Sequence, residues 1–105
     1  MKTTSFDNST IERLMNGENV SVKEVPGFTT FEEAKPYLIA CGKAAREIAT
    51  QVEGFFTNHA MKEVENAWYK ALHADCGYTV YSAACDAFGW LAKMENFRRT
   101  GAMEF

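Results

Sequence analysis

The sequence predicts a mainly α-helical protein, a small three-helix bundle over residues 31–56, 58–75 and 79–99. The first observation is a run of apolar and small residues at alternating spacings of four and three, which is the a/d seam of a helix that packs on other helices. That run is Ala34, Leu38, Cys41, Ala45, Ile48, Val52 and Phe55. The second observation is that two later segments repeat apolar residues at helical spacing. The third is that only two prolines interrupt 105 residues.

A short helix is predicted over residues 10–16, ahead of the bundle. Ser9 and Glu12 have the spacing of a capping box, and Gly17 follows the expected end. A helix of about two turns is not stable unless it docks on something. We therefore expect a single helical domain over the whole chain, with residues 1–29 as an N-terminal extension docked on the bundle.

A short β-strand is predicted over residues 20–25. Its β-branched residues alternate, and a Pro-Gly turn signal follows. A lone strand leaves backbone groups unpaired. The expected pairing partner is residues 2–6, residues 102–105 or another molecule.

The long helix opens with a second capping box, Thr30 with Glu33, and carries acidic residues in its first turn. Pro36 falls too late to be a free first-turn proline. It predicts either a kink or a one-turn prelude over 31–35 before the main helix. Gly54 weakens the far end.

The helix over 58–75 is predicted to take its N-cap from the pair Thr57-Asn58 and to end before Gly77. Its large apolar residues at helical spacing define the expected inner face. These are Met61, Val64, Trp68, Ala71 and Leu72.

The helix over 79–99, which closes at Gly101, is apolar on most sides. Its seam is Val80, Ala84, Ala87, Leu91 and Met94, and a second stripe beside it is Tyr81, Cys85, Phe88 and Ala92. A helix this apolar is covered on most sides, so it is either the centre of the bundle or part of an interface. The aromatic segment 78–81 has an alternative interpretation as a strand.

Composition excludes several classes of function. Fourteen carboxylates and eleven Lys and Arg give a net charge of −3 without a run of cations, which argues against binding to a phosphate backbone. No apolar run is long enough for a transmembrane helix, and no apolar secretion signal opens the chain. Three cysteines, an odd number, fit reduced thiols. We expect a cytoplasmic protein.

No catalytic, cofactor-binding or metal-binding residues are predicted. His73 and Cys76, with His59 and Cys85, have no spacing of a closed zinc site. His59 and Glu63 at i and i+4 are interpreted as a helix-surface contact rather than half of a metal or acid–base pair. No nucleophile elbow and no phosphate-binding glycine loop is present, so we do not expect an enzyme.

The fourteen aromatic residues indicate a partner surface. Eight of them are more than a bundle this small is expected to hide: Phe28, Phe31, Tyr37, Tyr69, Tyr78, Tyr81, Trp90 and Phe97. Exposed aromatic patches mark interfaces, although a larger core with scattered exposed rings is the alternative. The predicted partner-binding residues are Tyr78, Tyr81, Phe88, Trp90, Phe97 and Arg98. For Arg98 and Arg99 the alternative role is to stabilise the negative end of their helix.

These observations predict a non-enzymatic protein-binding module. In size and composition, though through no motif, the chain resembles small phage-encoded inhibitors of host defence, such as anti-CRISPR proteins. That resemblance implies an inhibitor that acts by steric occlusion of a larger protein or ribonucleoprotein complex in the host cytoplasm. The alternatives are a small nucleic-acid-associated regulator that works as a dimer, and a homo-oligomeric scaffold protein.

Overall fold

The structure is a computed structural model that describes residues 9–52 and 54–101. It confirms the prediction of a mainly helical bundle. The helices begin and end within a few residues of the predicted ranges, except that the long helix ends five residues earlier than predicted, at residue 51 instead of 56. The elements in chain order are α1 (Ser9–Met15), a 3₁₀ turn (Val22–Glu24), α2 (Phe31–Gln51), α3 (Phe55–Leu72) and α4 (Gly77–Thr100).

Helix α4 is the central element of the bundle. Helices α2 and α3 both pack on it, and α1 and the 3₁₀ turn contact it as well. Its predicted seam is buried at every position: Val80, Ala84, Ala87, Leu91 and Met94. The helix ends at Gly101, whose φ of 81° lies in the left-handed region that glycine adopts without strain.

The prediction of a β-strand over 20–25 is wrong, because this segment contains the 3₁₀ turn Val22–Glu24 instead. The Ser21 hydroxyl accepts from the Lys23 backbone N–H at 3.1 Å, and the Glu24 carboxylate accepts from the Ser21 N–H at 3.3 Å. This local capping box satisfies backbone groups that a strand would have to pair elsewhere. The segments expected to pair with the strand, 2–6 and 102–105, lie outside the described residues.

Burial in this segment does not alternate as it would in a strand. Val20 and Val25 are both buried, whereas Val22 between them is 43% exposed. The two buried valines join Phe28 in the same core as the helices. The turn therefore anchors the N-terminal part of the chain to the bundle.

Helix α2 begins at the predicted cap. The Thr30 hydroxyl accepts from the Glu33 N–H at 3.2 Å. The Glu33 carboxylate accepts from the backbone N–H and the hydroxyl of Thr29, at 2.9 and 3.0 Å, and these bonds lower the pKa of Glu33. Pro36 lies inside α2, which continues through it without a separate prelude. The proline ring removes one backbone hydrogen bond, the one to the carbonyl of Glu32.

The junction between α2 and α3 differs from the prediction. Gly54 has a φ of 147° and is the N-cap of α3, so this helix begins at Phe55 rather than at Asn58. Phe55 is consequently 76% exposed instead of closing the α2 seam. The chain turns at Gly54, so the a/d seam of α2 ends before Phe55.

The buried face of α3 is rotated from the one predicted. Three of its residues are alanines, and the full set is Phe56, Thr57, Ala60, Val64, Ala67 and Ala71. Met61 and Trp68 lie at its edge, and Leu72 is 45% exposed. The prediction followed the largest side chains, whereas the alanines are what allow α3 to approach α4 closely.

The core hides more aromatic rings than expected. Phe28 and Tyr37 are each 1% exposed and their ring centroids lie 5.2 Å apart. Phe31 packs edge-on against Trp68 at 5.0 Å. The N-terminal segment supplies the extra covering layer, because Phe28 enters the core from the loop that precedes α2.

Candidate protein-binding surfaces

The predicted partner-binding residues do not form one face. Tyr78 and Tyr81 lie beside the loop that precedes α2. Trp90 lies on the α3 side of the same helix, with its ring 5.1 Å from that of His59. Helix α4 therefore separates the two groups of aromatic residues.

Phe88, Phe97 and Arg98 are held by contacts within the bundle. Phe88 is 1% exposed, so it is a core residue that no partner can reach. Phe97 packs on the ring of Phe56 at 5.0 Å. The guanidinium of Arg98 donates two hydrogen bonds to the buried carboxylate of Glu95, at 2.9 and 2.6 Å.

Arg99 joins this charged cluster and connects two elements. Its Nε lies 3.3 Å from the Glu95 carboxylate. It also donates to the backbone carbonyl of Gly17 at 3.0 Å, which links the last turn of α4 to the segment after α1. The pair of arginines thus holds the end of α4 in place.

The first candidate surface is an open cleft of about 360 Å³ at the start of α4, here called the tyrosine cleft. Its lining is Val25, Gly27, Phe28, Thr29, Gly77, Tyr78 and Tyr81. Tyr78 is 78% exposed, more than any other large apolar side chain in the described part of the chain. None of these lining residues is charged.

A close backbone contact forms the wall of the tyrosine cleft. A Cβ atom on Gly77 would lie 3.2 Å from the carbonyl oxygen of Thr29, so a residue other than glycine would push the loop and the helix apart. Because α4 begins at this contact, Tyr78 projects outward while Val80, two residues later, is buried.

The second candidate surface is a groove of about 200 Å³ between two antiparallel helices, here called the α2–α3 groove. Its lining is Leu38, Ile39, Gly42, Ala45 and Arg46 from α2, and Met61, Val64, Glu65 and Trp68 from α3. Ile39 is 45% exposed. A Cβ atom on Gly42 would meet no atom of the described residues within 4 Å, which leaves room in the floor of the groove.

Trp90 lies on a third, more polar side of the bundle. The Lys93 ammonium sits 4.3 Å from the centre of its ring, in a cation–π contact. Lys70 of α3 bonds to Asp86 of α4 at 2.8 Å and to Ser82 at 3.0 Å. These contacts connect α3 to α4 and mix charges of both signs.

The thiol and imidazole groups do not assemble into a site. Within residues 9–52 and 54–101, no three His, Cys, Asp or Glu side chains are arranged to hold a metal ion. His59 and Glu63 form an i,i+4 contact with Nε2 and Oε2 3.9 Å apart. Burial raises the pKa of Cys41 to about 12. The exposed Cys76 has a lowered pKa, because its sulfur accepts a hydrogen bond from the Thr79 hydroxyl.

The α2–α3 groove was not predicted from the sequence. Its residue Ile39 lies one position past Leu38 and outside the predicted a/d seam of α2. Gly42 likewise follows Cys41 without belonging to the seam. Ile39, Gly42 and Arg46 recur at helical spacing on one side of α2. This combination of an apolar residue, a glycine and a flanking charge is the signal that indicates a second packing face.

In the described residues, no helix is both long and apolar enough to cross a membrane. No protein-family model matches the chain, and no curated protein or solved structure is detectably similar to it.

Proposed function

We propose that this protein is a non-enzymatic protein-binding module whose partner docks on the tyrosine cleft. The observation that carries the proposal is the 78% exposure of Tyr78 beside an open, uncharged cleft. Tyrosine is enriched among the residues that dominate binding energies, because it offers a large contact area with only two rotatable side-chain bonds.

The shape of the cleft supports a protein partner. Phe28 forms an apolar floor that is itself locked in the core, and Gly27 and Gly77 leave the walls low. An apolar side chain of a partner would fill the cleft and cover Tyr78, which excludes water from both. A nucleic acid needs cations to contact its phosphates, and the described residues of this lining supply none.

The mode of action we propose is steric occlusion. As a non-enzymatic module, the protein would act on a larger complex by covering a surface that the complex needs. The resemblance in size and composition to phage inhibitors of host defence makes bacterial defence complexes the first class of partner to test.

The test is capture of the partner by the tagged full-length protein from a lysate of its native host, quantified by mass spectrometry. The variant Tyr78→Ala should weaken binding about 30-fold, the effect of losing a hot-spot residue worth about 2 kcal/mol. The matched control is Tyr69→Ala, which removes another exposed tyrosine, 56% exposed, that lies outside the cleft lining.

Equal capture by both variants would contradict the proposal, and so would the absence of any partner retained by the wild type. Circular dichroism of each variant checks that the helical content is unchanged. Because Tyr78 is mostly exposed, its truncation should not alter the fold.

A further inference from the structure

We propose that the α2–α3 groove binds the same groove of a second copy, so that the protein forms a two-fold symmetric dimer. This surface lies apart from the tyrosine cleft, and the inference goes beyond the proposed function. It would make the protein a bivalent module, with one tyrosine cleft on each copy.

The groove carries apolar side chains that the rest of the bundle does not bury. Ile39 is 45% exposed, and Met61 and Trp68 are only partly buried at the edge of the core. The α4 helix packs on the other side of these two helices, and α1 lies beside Lys43 and Ala44, away from the groove. In the described part of the chain, nothing covers this face.

The charges of the groove favour a second copy of the chain as its occupant. Among the described lining residues only Arg46 and Glu65 are charged, the cation on α2 and the anion on α3. A two-fold axis parallel to these antiparallel helices lays α2 of each copy on α3 of the other. In the proposed dimer Arg46 of each copy pairs with Glu65 of the other, so the ion pair forms twice. A face with one positive and one negative rim is complementary to itself.

The size of the face sets the expected affinity. The 18 residues of α3 make a helix about 27 Å long, and two adjacent helices are about 18 Å across, so each copy offers on the order of 500 Å² in projection. This is below the roughly 800 Å² per partner of a standard interface. We therefore expect a weak, reversible dimer.

The experiment is sedimentation equilibrium of the full chain over micromolar concentrations, for the wild type and for Arg46→Glu and Glu65→Arg. The wild type should dimerise. Each variant alone sets like charges against each other at both ion pairs, so its dimerisation should weaken at least about tenfold. An equimolar mixture of the two variants should dimerise again. In the mixed dimer, the two carboxylates of the Arg46→Glu copy face the two guanidinium groups of the Glu65→Arg copy.

Two controls separate this inference from other effects. Lys43→Glu and Glu47→Arg make the same charge changes on α2, on a surface shared with α1 rather than in the groove, and should leave dimerisation unchanged. Tyr78→Ala should also dimerise normally, so loss of partner capture and loss of the dimer can be told apart.

Three outcomes would overturn the inference. The first is a wild type that stays monomeric throughout the concentration range. The second is a dimer that neither charge reversal weakens. The third is a mixture of the two variants that stays monomeric, which would rule out the alternating pairing of α2 with α3.

Discussion

A buried hydrogen bond between two polar side chains helps to hold this small core in one arrangement. The hydroxyls of Thr10 and Tyr37 are hydrogen-bonded at 2.7 Å in the interior, between α1 and α2. Burial raises the pKa of Tyr37 far above its ordinary value, so the phenol is neutral at all physiological pH values. The bond fixes how the seven-residue α1 docks on the bundle.

The Thr10–Tyr37 bond gives a prediction at this scale. Thr10→Val keeps the shape but leaves the Tyr37 hydroxyl without its partner, and should lower the free energy of unfolding by about 1–2 kcal/mol. The double variant Thr10→Val with Tyr37→Phe removes both polar groups and should recover most of that loss. Urea denaturation of the two variants measures this, and a double variant less stable than Thr10→Val would contradict it.

The burial of Glu95 between two arginines was not predicted from the sequence. The two arginines were interpreted as a partner contact or as a favourable helix end, and Glu95 received no role. In the structure Glu95 is fully buried and both arginines bind it. The pattern of Leu91, Glu95 and Arg98 on one side of α4 contains this cluster, but a carboxylate is buried too rarely to be expected there.

At the scale of elements, helix content and the α4 seam were predictable because they depend on periodicity alone. The strand over 20–25 was predicted wrongly, since β-branched alternation outweighed a capping box formed by Ser21 and Glu24. The buried face of α3 was predicted only in part, at Val64 and Ala71, because small residues such as Ala67 contribute little hydrophobic signal. Their burial depends on which helix lies opposite, and a single helix does not specify that.

Gly89, inside α4, and Gly101, which caps it, should respond in opposite directions to the same substitution. Gly101→Ala places a Cβ on a residue with φ of 81° and should cost about 1 kcal/mol of stability. Gly89 lies inside the helix, where a Cβ would meet no described atom within 4 Å, so Gly89→Ala should stabilise by about 0.5–1 kcal/mol. Thermal denaturation measures both, and a destabilised Gly89→Ala would show that this side of α4 is closely covered.

Over the whole molecule, the candidate binding surfaces are separate from one another: the tyrosine cleft and the α2–α3 groove have no lining residue in common. The sequence predicted one aromatic face on α4, whereas that helix is central and its aromatic residues diverge to opposite sides. Helical periodicity alone places Tyr81 and Trp90, about two and a half turns apart, on opposite sides of α4. Tertiary packing decides only which neighbours each ring meets, because that depends on where α3 and the N-terminal segment lie. The result is an uncharged cleft at Tyr78 and a self-complementary groove around Gly42.

A site-specific photo-cross-link tests directly whether a protein docks on the tyrosine cleft. A photoreactive phenylalanine analogue replaces Tyr78 in one sample and Tyr69 in a control, and each protein is irradiated in a lysate of the native host. We expect one covalent adduct with a larger protein from position 78 and none of that mass from position 69. No adduct from position 78, or the same adduct from both positions, would contradict the claim.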